Sequence, residues 1–326
     1  MILLGGVDEA GLGPLLGPLC IGAAGLLADE VCDPWERLAP AVSKEPKGDA
    51  HGLVVGDSKR VFTRNERGHR RLETSVLAFA SIARGVVDGR RRLSPEDLSL
   101  GGEDERAWLE RHPWHEARPK ELPLFASADL VELRTDQLRR ALERGGLGVA
   151  GFGVRTVEPG ELNREFDRTG NKGAATWRYV APAIGYLLGV AVREGATSAH
   201  VAVDRQGARA RYGPSLARAL PSYSVELVEE GPVCSRYRLS GPVEAEVWFR
   251  EKEDRESFAT ALASCGAKYA RELAMGAFNA WFGERAPDLE PTAGYATDGR
   301  RWLGDAARRA GALLDGIDRE LLVRKR

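Results

Sequence analysis

The sequence predicts an α/β protein in which helices flank a mixed β-sheet. Two apolar, strand-like runs come first, at residues 1–7 and 15–27, and they are suited to form a hairpin or a strand pair. Further along the chain, strand-like and helical segments alternate. Of the 326 residues, 43% are hydrophobic and 29% are charged, a balance that can bury a sizeable core in one elaborated domain or two modest ones.

The first half of the chain contains one clear helical segment. Residues 63–83 place apolar side chains at helical spacing behind a basic opening. Residues 84–121 are charged, contain several prolines and lack periodicity, which is typical of an insertion. We expect this insertion to extend to about residue 134.

In the second half of the chain, segments with strand-like apolar spacing alternate with segments with helical spacing. We expect Pro182 to kink the long apolar helix predicted there. The predicted segments are a strand at 147–157, a helix at 173–193, strands at 198–203 and 223–228, a hairpin at 233–249, a helix at 256–282, and helical spacing with many arginines at 298–326.

Charge and cysteine content narrow the class of protein. The 47 Lys and Arg residues nearly balance the 48 Asp and Glu residues, so a nucleic-acid partner would be met by a local basic surface. Apolar runs fall short of the ~20 residues that a membrane span requires, and no secretory signal is recognisable. We therefore expect a cytoplasmic monomer with no membrane contact and no obligate protein partner. The cysteines lie far apart and are expected to be reduced core residues: Cys20, Cys32, Cys234 and Cys265.

Acidic residues end two of the predicted strands. Asp8 and Glu9 follow the first apolar run, and Asp204 follows the run at 198–203. Carboxylates at strand ends project from the sheet edge, where open α/β proteins place their chemistry. Neighbouring ionised carboxylates repel each other unless they share a proton or bind a cation, and oxygen ligands favour Mg²⁺ or Mn²⁺.

The residues after this acid pair bear on its role. An isolated Asp-Glu pair is also typical of a solvated turn. The stretch GVDEAGLGPLLGP, however, adds Gly11, Gly13 and Gly17, which allow a ligand to approach the backbone closely. The glycines favour a binding loop without excluding the turn.

This stretch also resembles the motif of a particular family. GVDEAGLGPLLGP is similar to the opening signature of type 2 ribonuclease H (ribonuclease HII), in which an acid pair precedes a Gly-Arg-Gly turn. Three further segments resemble that family in the same order. They are Gly56-Asp57-Ser58-Lys59, then Asn171 with Ala175 and Thr176, and then Asp204 in VAVDRQG.

A fourth and a fifth segment extend the resemblance towards the C-terminus. KEDRESFATALASCGAKYARE, residues 252–272, resembles the family pattern of Lys-x-Asp, Ala-Ser and Ala-Lys-x-x-Arg and makes Asp254 the fourth acid. Gly294-Tyr295-x-Thr297 resembles the family's Gly-Tyr-Gly-Thr element. An isolated Asp254 would also be typical of a solvated charge run.

The resemblance implies a ribonuclease H-like fold and a metal-dependent endonuclease. It places Asp8, Glu9, Asp204 and Asp254 around two divalent ions, Mg²⁺ or Mn²⁺, as catalytic and metal-binding residues. Members of the family hydrolyse the RNA strand of RNA–DNA hybrids or cut beside single ribonucleotides in duplex DNA. Either reaction requires contact with a ribose 2′-hydroxyl.

The resemblance also implies six substrate-binding residues, three that read the ribose and three that hold flanking phosphates or support the acids. The first three are Gly11, Gly13 and Tyr295, and the others are Lys59, Lys268 and Arg271.

The clearest departure from the family pattern is Leu12, which stands where the family has arginine. Loss of one charged hydrogen bond to a phosphate costs about 1.5–3 kcal/mol. Activity can survive such a loss, whereas specificity for a single ribonucleotide is in doubt. The basic loop containing Arg205, Arg209 and Arg211 could supply a replacement cation or could be an ordinary exposed loop.

We expect residues 1–282 to form the catalytic domain and residues 283–326 a C-terminal helical extension lying along nucleic acid. Insertions are expected at about 84–134 and 205–249. Two alternatives remain open, namely a non-catalytic relative that binds nucleic acid and a two-metal nuclease that acts on DNA structures. A metabolic phosphate-binding enzyme is disfavoured because the sequence contains no P-loop or dinucleotide-binding motif.

Overall fold

The computed structural model describes residues 1–46, 52–86, 92–207 and 209–325. The strands in these ranges are β1 Ile2–Ala10, β2 Leu19–Ala28, β3 Val42–Ser43, β4 Leu53–Val54, β5 Leu147–Val157, β6 Ser198–Asp204, β7 Ser224–Glu230, β8 Cys234–Ser240 and β9 Glu244–Arg250.

The helices in the same ranges are α1 Pro34–Leu38, α2 Ser58–Val61, α3 Glu66–Ala83, α4 Gly102–Leu109, α5 Ala128–Gly145, α6 Pro159–Thr169, α7 Lys172–Arg193, α8 Gly213–Ala219, α9 Phe258–Arg285, α10 Ala296–Arg309, α11 Gly311–Asp315 and α12 Arg319–Leu322. Short 3₁₀ helices span Pro95–Leu98, Pro113–Ala117 and Glu253–Arg255. No helix of the described residues is long and apolar enough to cross a membrane.

Seven strands form the main sheet in the order β5-β2-β1-β6-β9-β8-β7. Strand β1 pairs antiparallel with β2 and parallel with β6, and β6 pairs parallel with β9. The outer pairs β2–β5, β8–β9 and β7–β8 are antiparallel. The predicted fold class is confirmed as α/β: helices cover both faces of a mixed β-sheet.

Strand β9 lies inside the segment 205–249 that was expected to be an insertion. It pairs with β6 in register from Ser198 opposite Glu244 to Asp204 opposite Arg250, and it therefore belongs to the central sheet. Strands β7 and β8 precede it and extend the sheet edge. The hairpin predicted at 233–249 is confirmed as the antiparallel pair of β8 and β9.

Helix α9 packs unusually close to the sheet because two glycines face it. A Cβ atom added at Gly6 would lie 2.0 Å from the Thr260 nitrogen, and one added at Gly22 would lie 2.0 Å from the Ala263 oxygen. Only glycine allows the backbones to approach this closely. Helix α9 thereby runs directly under the carboxyl end of β1, where Asp8 lies.

The two faces of the sheet carry separate apolar cores. Helices α3, α5 and α9 cover one face, and helix α7 covers the other. A third cluster packs Trp114, Phe278 and Trp302 together, so the inserted segment and the C-terminal residues share one core against α9.

Helix α5 was not predicted, and its first residues lie in the segment taken as an insertion. Ser127 caps its first turn by accepting a hydrogen bond from the Leu130 N–H, and Gly146 ends it in the left-handed conformation with φ of 62°. Buried Leu138 and Leu142 attach it to the core. Its buried residues follow helical spacing, so the period was present in the sequence although the prediction did not include this helix.

A buried carboxylate attaches the inserted segment to helix α3. Glu73 is 0% exposed and accepts hydrogen bonds from the backbone N–H groups of Leu124, Phe125 and Ala126 at 2.6–2.7 Å. The Tyr269 hydroxyl donates a fourth hydrogen bond at 2.7 Å. These donors satisfy a charge that would otherwise be costly to bury.

We therefore expect Glu73→Ala to lower the free energy of unfolding by about 3–5 kcal/mol, because three backbone N–H groups and the buried Tyr269 hydroxyl lose their acceptor. Urea denaturation followed by circular dichroism measures this loss. Glu132→Ala on exposed α5 surface is the matched control and should change stability by about 0.5 kcal/mol or less. Equal stabilities for the two variants would contradict this account of Glu73.

Candidate active site

The four predicted acids meet at one edge of the sheet. Asp8 and Glu9 are the two residues before Ala10, the last residue of β1, and Asp204 is the last residue of the adjacent parallel strand β6. Asp254 lies in the 3₁₀ helix between β9 and α9. Since β1, β6 and β9 are parallel neighbours, their carboxyl ends bring all four side chains to the same edge.

Asp8 is the most deeply buried of the four acids. Burial is the main cause that holds the pKa of its carboxyl well above the ordinary value, and the charge of Asp204 adds to the effect. Glu9 and Asp254 raise this pKa further, whereas a hydrogen bond with Ser264 lowers it. Burial together with the Asp204 charge also raises the pKa of Glu9 to about 8.

Asp204 and Asp254, the other two acids, also have raised pKa values, and a backbone N–H group binds Asp204. Burial raises the pKa of Asp204 to about 6, and the Asp254 charge contributes. The Glu253 N–H donates a hydrogen bond of 2.9 Å to Asp204 Oδ1, which joins the end of β6 to the 3₁₀ helix. Burial, followed by the charge of Asp57, raises the pKa of Asp254.

Basic side chains partly offset this concentration of negative charge. Exposed Lys59 at the start of α2 lowers the pKa values of Glu9, Asp204 and Asp254, so it lies within electrostatic reach of all three. Arg255 forms an ion pair of 2.9 Å with Asp57, the residue that caps α2. Asp57 belongs to the Gly56-Asp57-Ser58-Lys59 segment of the resemblance, but no role was predicted for it.

Ser264 is a further site residue that the sequence prediction did not include. It lies on α9, is buried, and hydrogen bonds with Asp8 and, at 3.0 Å, with the Ser58 hydroxyl. Its place in the Ala-Ser element of the resemblance was the available signal. The small side chains around it are what allow α9 to approach β1.

The donor chemistry of this edge fits hard divalent cations. Four carboxylates supply only oxygen donors, and their raised pKa values show that each loses solvation and meets like charge, which a cation would relieve. Within the described residues, no three His, Cys, Asp or Glu side chains are drawn together as a ready-made metal cage. Asp8 and Asp204 each direct one oxygen to a backbone N–H instead, at 2.7 and 2.9 Å.

The glycine-rich turn of residues 11–18 lies directly after the acids. Gly11 has φ of 88°, and a Cβ atom there would lie 2.7 Å from the Pro18 oxygen, so the turn requires glycine at this position. Gly13 is exposed and has open space around its Cα atom. A ligand can therefore approach the backbone at Gly13.

Tyr295 lies beside this turn because the preceding residue is bound to it. The Gly294 carbonyl accepts hydrogen bonds from the Leu15 and Leu16 N–H groups at 2.7 and 3.1 Å. Tyr295 itself is 47% exposed at the start of α10. The structure thus places the predicted Tyr295 next to the turn that contains Gly13.

Lys268 and Arg271, predicted to hold flanking phosphates or support the acids, both have partners within the protein. Arg271 is only 1% exposed and donates to the carbonyl oxygens of Pro18, Leu16 and Ala293. Its guanidinium is buried against the turn and holds these three carbonyl groups together. Lys268 forms an ion pair of 2.5 Å with Glu272.

The strand order and the flanking helices define the class of protein as α/β with a mixed seven-stranded sheet, and the acids lie at one edge of that sheet. No family model and no curated protein matches the sequence. Among solved structures, the chain resembles a chain of the PCNA:RNase HII complex from Archaeoglobus fulgidus, with 17% identity, a TM-score of 0.41, and coverage of 100% of this chain and 94% of the other.

Two other solved structures show similarities of the same weak degree. Ribonuclease H2 from Pyrococcus horikoshii OT3 has 15% identity and a TM-score of 0.41, with coverage of 98% of this chain and 92% of that one. Bst-RNase HIII in complex with Mn²⁺ has 15% identity and a TM-score of 0.39, with coverage of 99% and 65%.

Proposed function

We propose that this protein is a metal-dependent endonuclease of the type 2 ribonuclease H kind, which hydrolyses the RNA strand of RNA–DNA hybrids or cuts at ribonucleotides in duplex DNA. The observation that carries the proposal is the meeting of Asp8, Glu9, Asp204 and Asp254 at one sheet edge, beside a glycine-rich turn. Three distant parts of the chain, at residues 8–18, Asp204 and Asp254, supply these elements in the order of the family's motifs.

In this proposal the four carboxylates hold two Mg²⁺ or Mn²⁺ ions. Bound there, the ions would supply an activated water and stabilise the departing oxygen. Hydrolysis joins the water oxygen to phosphorus and breaks the bond from phosphorus to the 3′ oxygen, leaving a 5′-phosphate and a 3′-hydroxyl. Ser264 and the Glu253 N–H orient Asp8 and Asp204 through their hydrogen bonds.

The remaining residues bind and orient the substrate. The backbone at Gly11 and Gly13 and the exposed Tyr295 ring face the ribose, and Lys59 attracts a phosphate next to the acids. Lys268 on α9 is assigned as a cation that supports the acids. We assign Arg271 a positioning role, because its three hydrogen bonds set the path of the turn.

Three substrates of equal length test this function: an RNA–DNA hybrid, a DNA duplex with one ribonucleotide, and an all-DNA duplex. With Mg²⁺ or Mn²⁺ we expect the hybrid to be cut roughly ten-fold or more faster than the single-ribonucleotide duplex, because Leu12 cannot supply a charged contact at the junction. The all-DNA duplex should remain intact.

The same reactions in EDTA are the control and should show no cleavage. Cutting of the all-DNA duplex at a similar rate would favour a nuclease that acts on DNA structures. Binding of the hybrid without cleavage under any divalent ion would favour the non-catalytic relative.

A further inference from the structure

Two buried arginines lie under the glycine-rich turn of residues 11–18. Arg271 reaches it from α9, and Arg324 reaches it from the last residues of the chain. Arg324 is 4% exposed and donates hydrogen bonds to the carbonyl oxygens of Gly17, at 2.7 Å, and of Gly11. Its backbone N–H also donates to the Leu15 carbonyl at 3.0 Å.

Among the described residues, neither of these two buried guanidiniums forms an ion pair, although the buried Glu158 carboxylate lies within electrostatic reach of both. Every hydrogen-bond acceptor recorded for either guanidinium is a backbone carbonyl. Burial, followed by the charge of Arg271, lowers the pKa of Arg324 to about 9. The Arg324 Nη2 atom is buried without a hydrogen-bond partner in the described part of the chain. Buried cations of this kind attract an anion.

A cavity of about 310 Å³ opens between the turn and the C-terminal residues. Leu12 and Gly13 line one side, and Lys172, Arg324 and Lys325 line the other. The volume is about ten times the ~30 Å³ share of one water molecule in the liquid, which is ample for a phosphate group. Lys172 is exposed at the start of α7, and Lys325 forms ion pairs with Asp167 and Glu320 on the outer rim.

We infer that this cavity binds a backbone phosphate of the nucleic-acid substrate, with Lys172 and Arg324 supplying the positive charge that Leu12 does not. The inference rests on the proposed function for the identity of the anion. It assigns to the C-terminal residues a part in substrate binding in addition to their packing against α9. Arg324 would hold the turn through its carbonyl contacts and present its remaining charge to the phosphate.

Arg324 also supports the turn, so substitutions of the lysines test the site with less risk to folding. Binding of an 18-base-pair fluorescein-labelled RNA–DNA hybrid is measured by anisotropy in EDTA, where cleavage does not occur, over a series of NaCl concentrations. We expect Lys172→Met with Lys325→Met to weaken binding about ten-fold at 0.1 M NaCl. The slope of log K against log salt should fall by about one, as for the loss of one phosphate contact.

Two further variants make the result specific to the cavity. Lys120→Met removes one exposed charge from a residue that does not line the cavity and should leave affinity within about two-fold. Leu12→Arg, added to the double lysine variant, should restore most of the lost affinity, because it returns a cation to the same cavity.

The inference would be overturned by double-variant affinity equal to that of Lys120→Met, by a failure of Leu12→Arg to restore binding, or by the absence of hybrid binding in the unaltered protein. Cleavage is scored separately with Mg²⁺ and Mn²⁺. Binding that depends on the cavity, in a protein that cuts no substrate, would remove the proposed activity and leave the phosphate site standing.

Discussion

Replacement of Asp8 by Asn is expected to reduce metal-dependent cleavage of the hybrid by about a thousand-fold. The Asp8 side chain is buried among Glu9, Asp204 and Asp254, and its negative charge is central to the attraction of cations to this edge. Asparagine keeps the shape and can still hydrogen bond with Ser264, so only the charge and one strong oxygen donor are lost. Initial rates at saturating Mg²⁺ and at saturating Mn²⁺ measure the effect.

The matched control for this variant is Asp29→Asn, which removes an exposed carboxylate just after β2. It should retain the rate of the unaltered protein within about two-fold. Comparable rates for Asp8→Asn and the unaltered protein would show that the acidic edge does not carry the reaction. Hybrid binding in EDTA, measured for both variants, separates a loss of chemistry from a loss of binding.

The second large effect concerns stability without metal. Glu9 has a folded-state pKa of about 8 against an ordinary value of 4.5, so between these pH values the folded state binds a proton that the unfolded state has released. The free energy of unfolding therefore falls as pH rises from about 4.5 to 8. Asp204, with a folded-state pKa of about 6, adds a loss in the lower part of that window.

Glu9→Gln should consequently raise the free energy of unfolding of the metal-free protein at pH 8.5 by a few kcal/mol, since a pKa unit corresponds to about 1.4 kcal/mol. At pH 4.5 the two proteins should be equally stable, because Glu9 is then protonated in the fold. Urea denaturation in EDTA at both pH values measures the difference. Glu132→Gln on exposed α5 surface is the control and should show no such pH dependence.

Divalent cations provide the complementary measurement. Millimolar Mn²⁺ at pH 8.5 should stabilise the unaltered protein, because an ion that binds only the folded state shifts unfolding by mass action. Glu9→Gln should gain less from the ion, since it lacks one ligand. If Glu9→Gln is no more stable than the unaltered protein in EDTA at pH 8.5, Glu9 does not carry the cost of burial and of the Asp204 charge that is assigned to it here.

Local patterns were sufficient for the elements that carry the acids. Strand β5 and strand β6 follow the apolar spacing of the sequence almost residue by residue, and α9 begins within two residues of its predicted start. These segments are read from short-range periodicity because one face or both faces of each element are buried in the main cores. Helix α5 was missed although its buried residues follow the same kind of periodicity.

The roles of the individual basic residues could not be predicted from local sequence patterns, because they depend on long-range contacts. Arg271 matches a family motif, yet its burial directs it to three carbonyl oxygens of the turn and its neighbours. Arg324 had no motif at all. Its importance follows from a hydrogen bond that its side chain donates to the Gly17 carbonyl. The two residues are 307 positions apart in the sequence.

The sequence by itself determined the sheet-forming segments, the four acids and the glycine-rich turn, because spacing and residue type are local properties of the chain. Only the tertiary structure decided that β9 completes the central sheet, that Ser264 contacts Asp8, and that Arg324 lies behind Leu12. Those outcomes depend on close backbone approaches such as that of Gly22 to Ala263, which bring together residues hundreds of positions apart. The sequence therefore fixes which charged residues the chain contains. Long-range packing determines which of them surround the site.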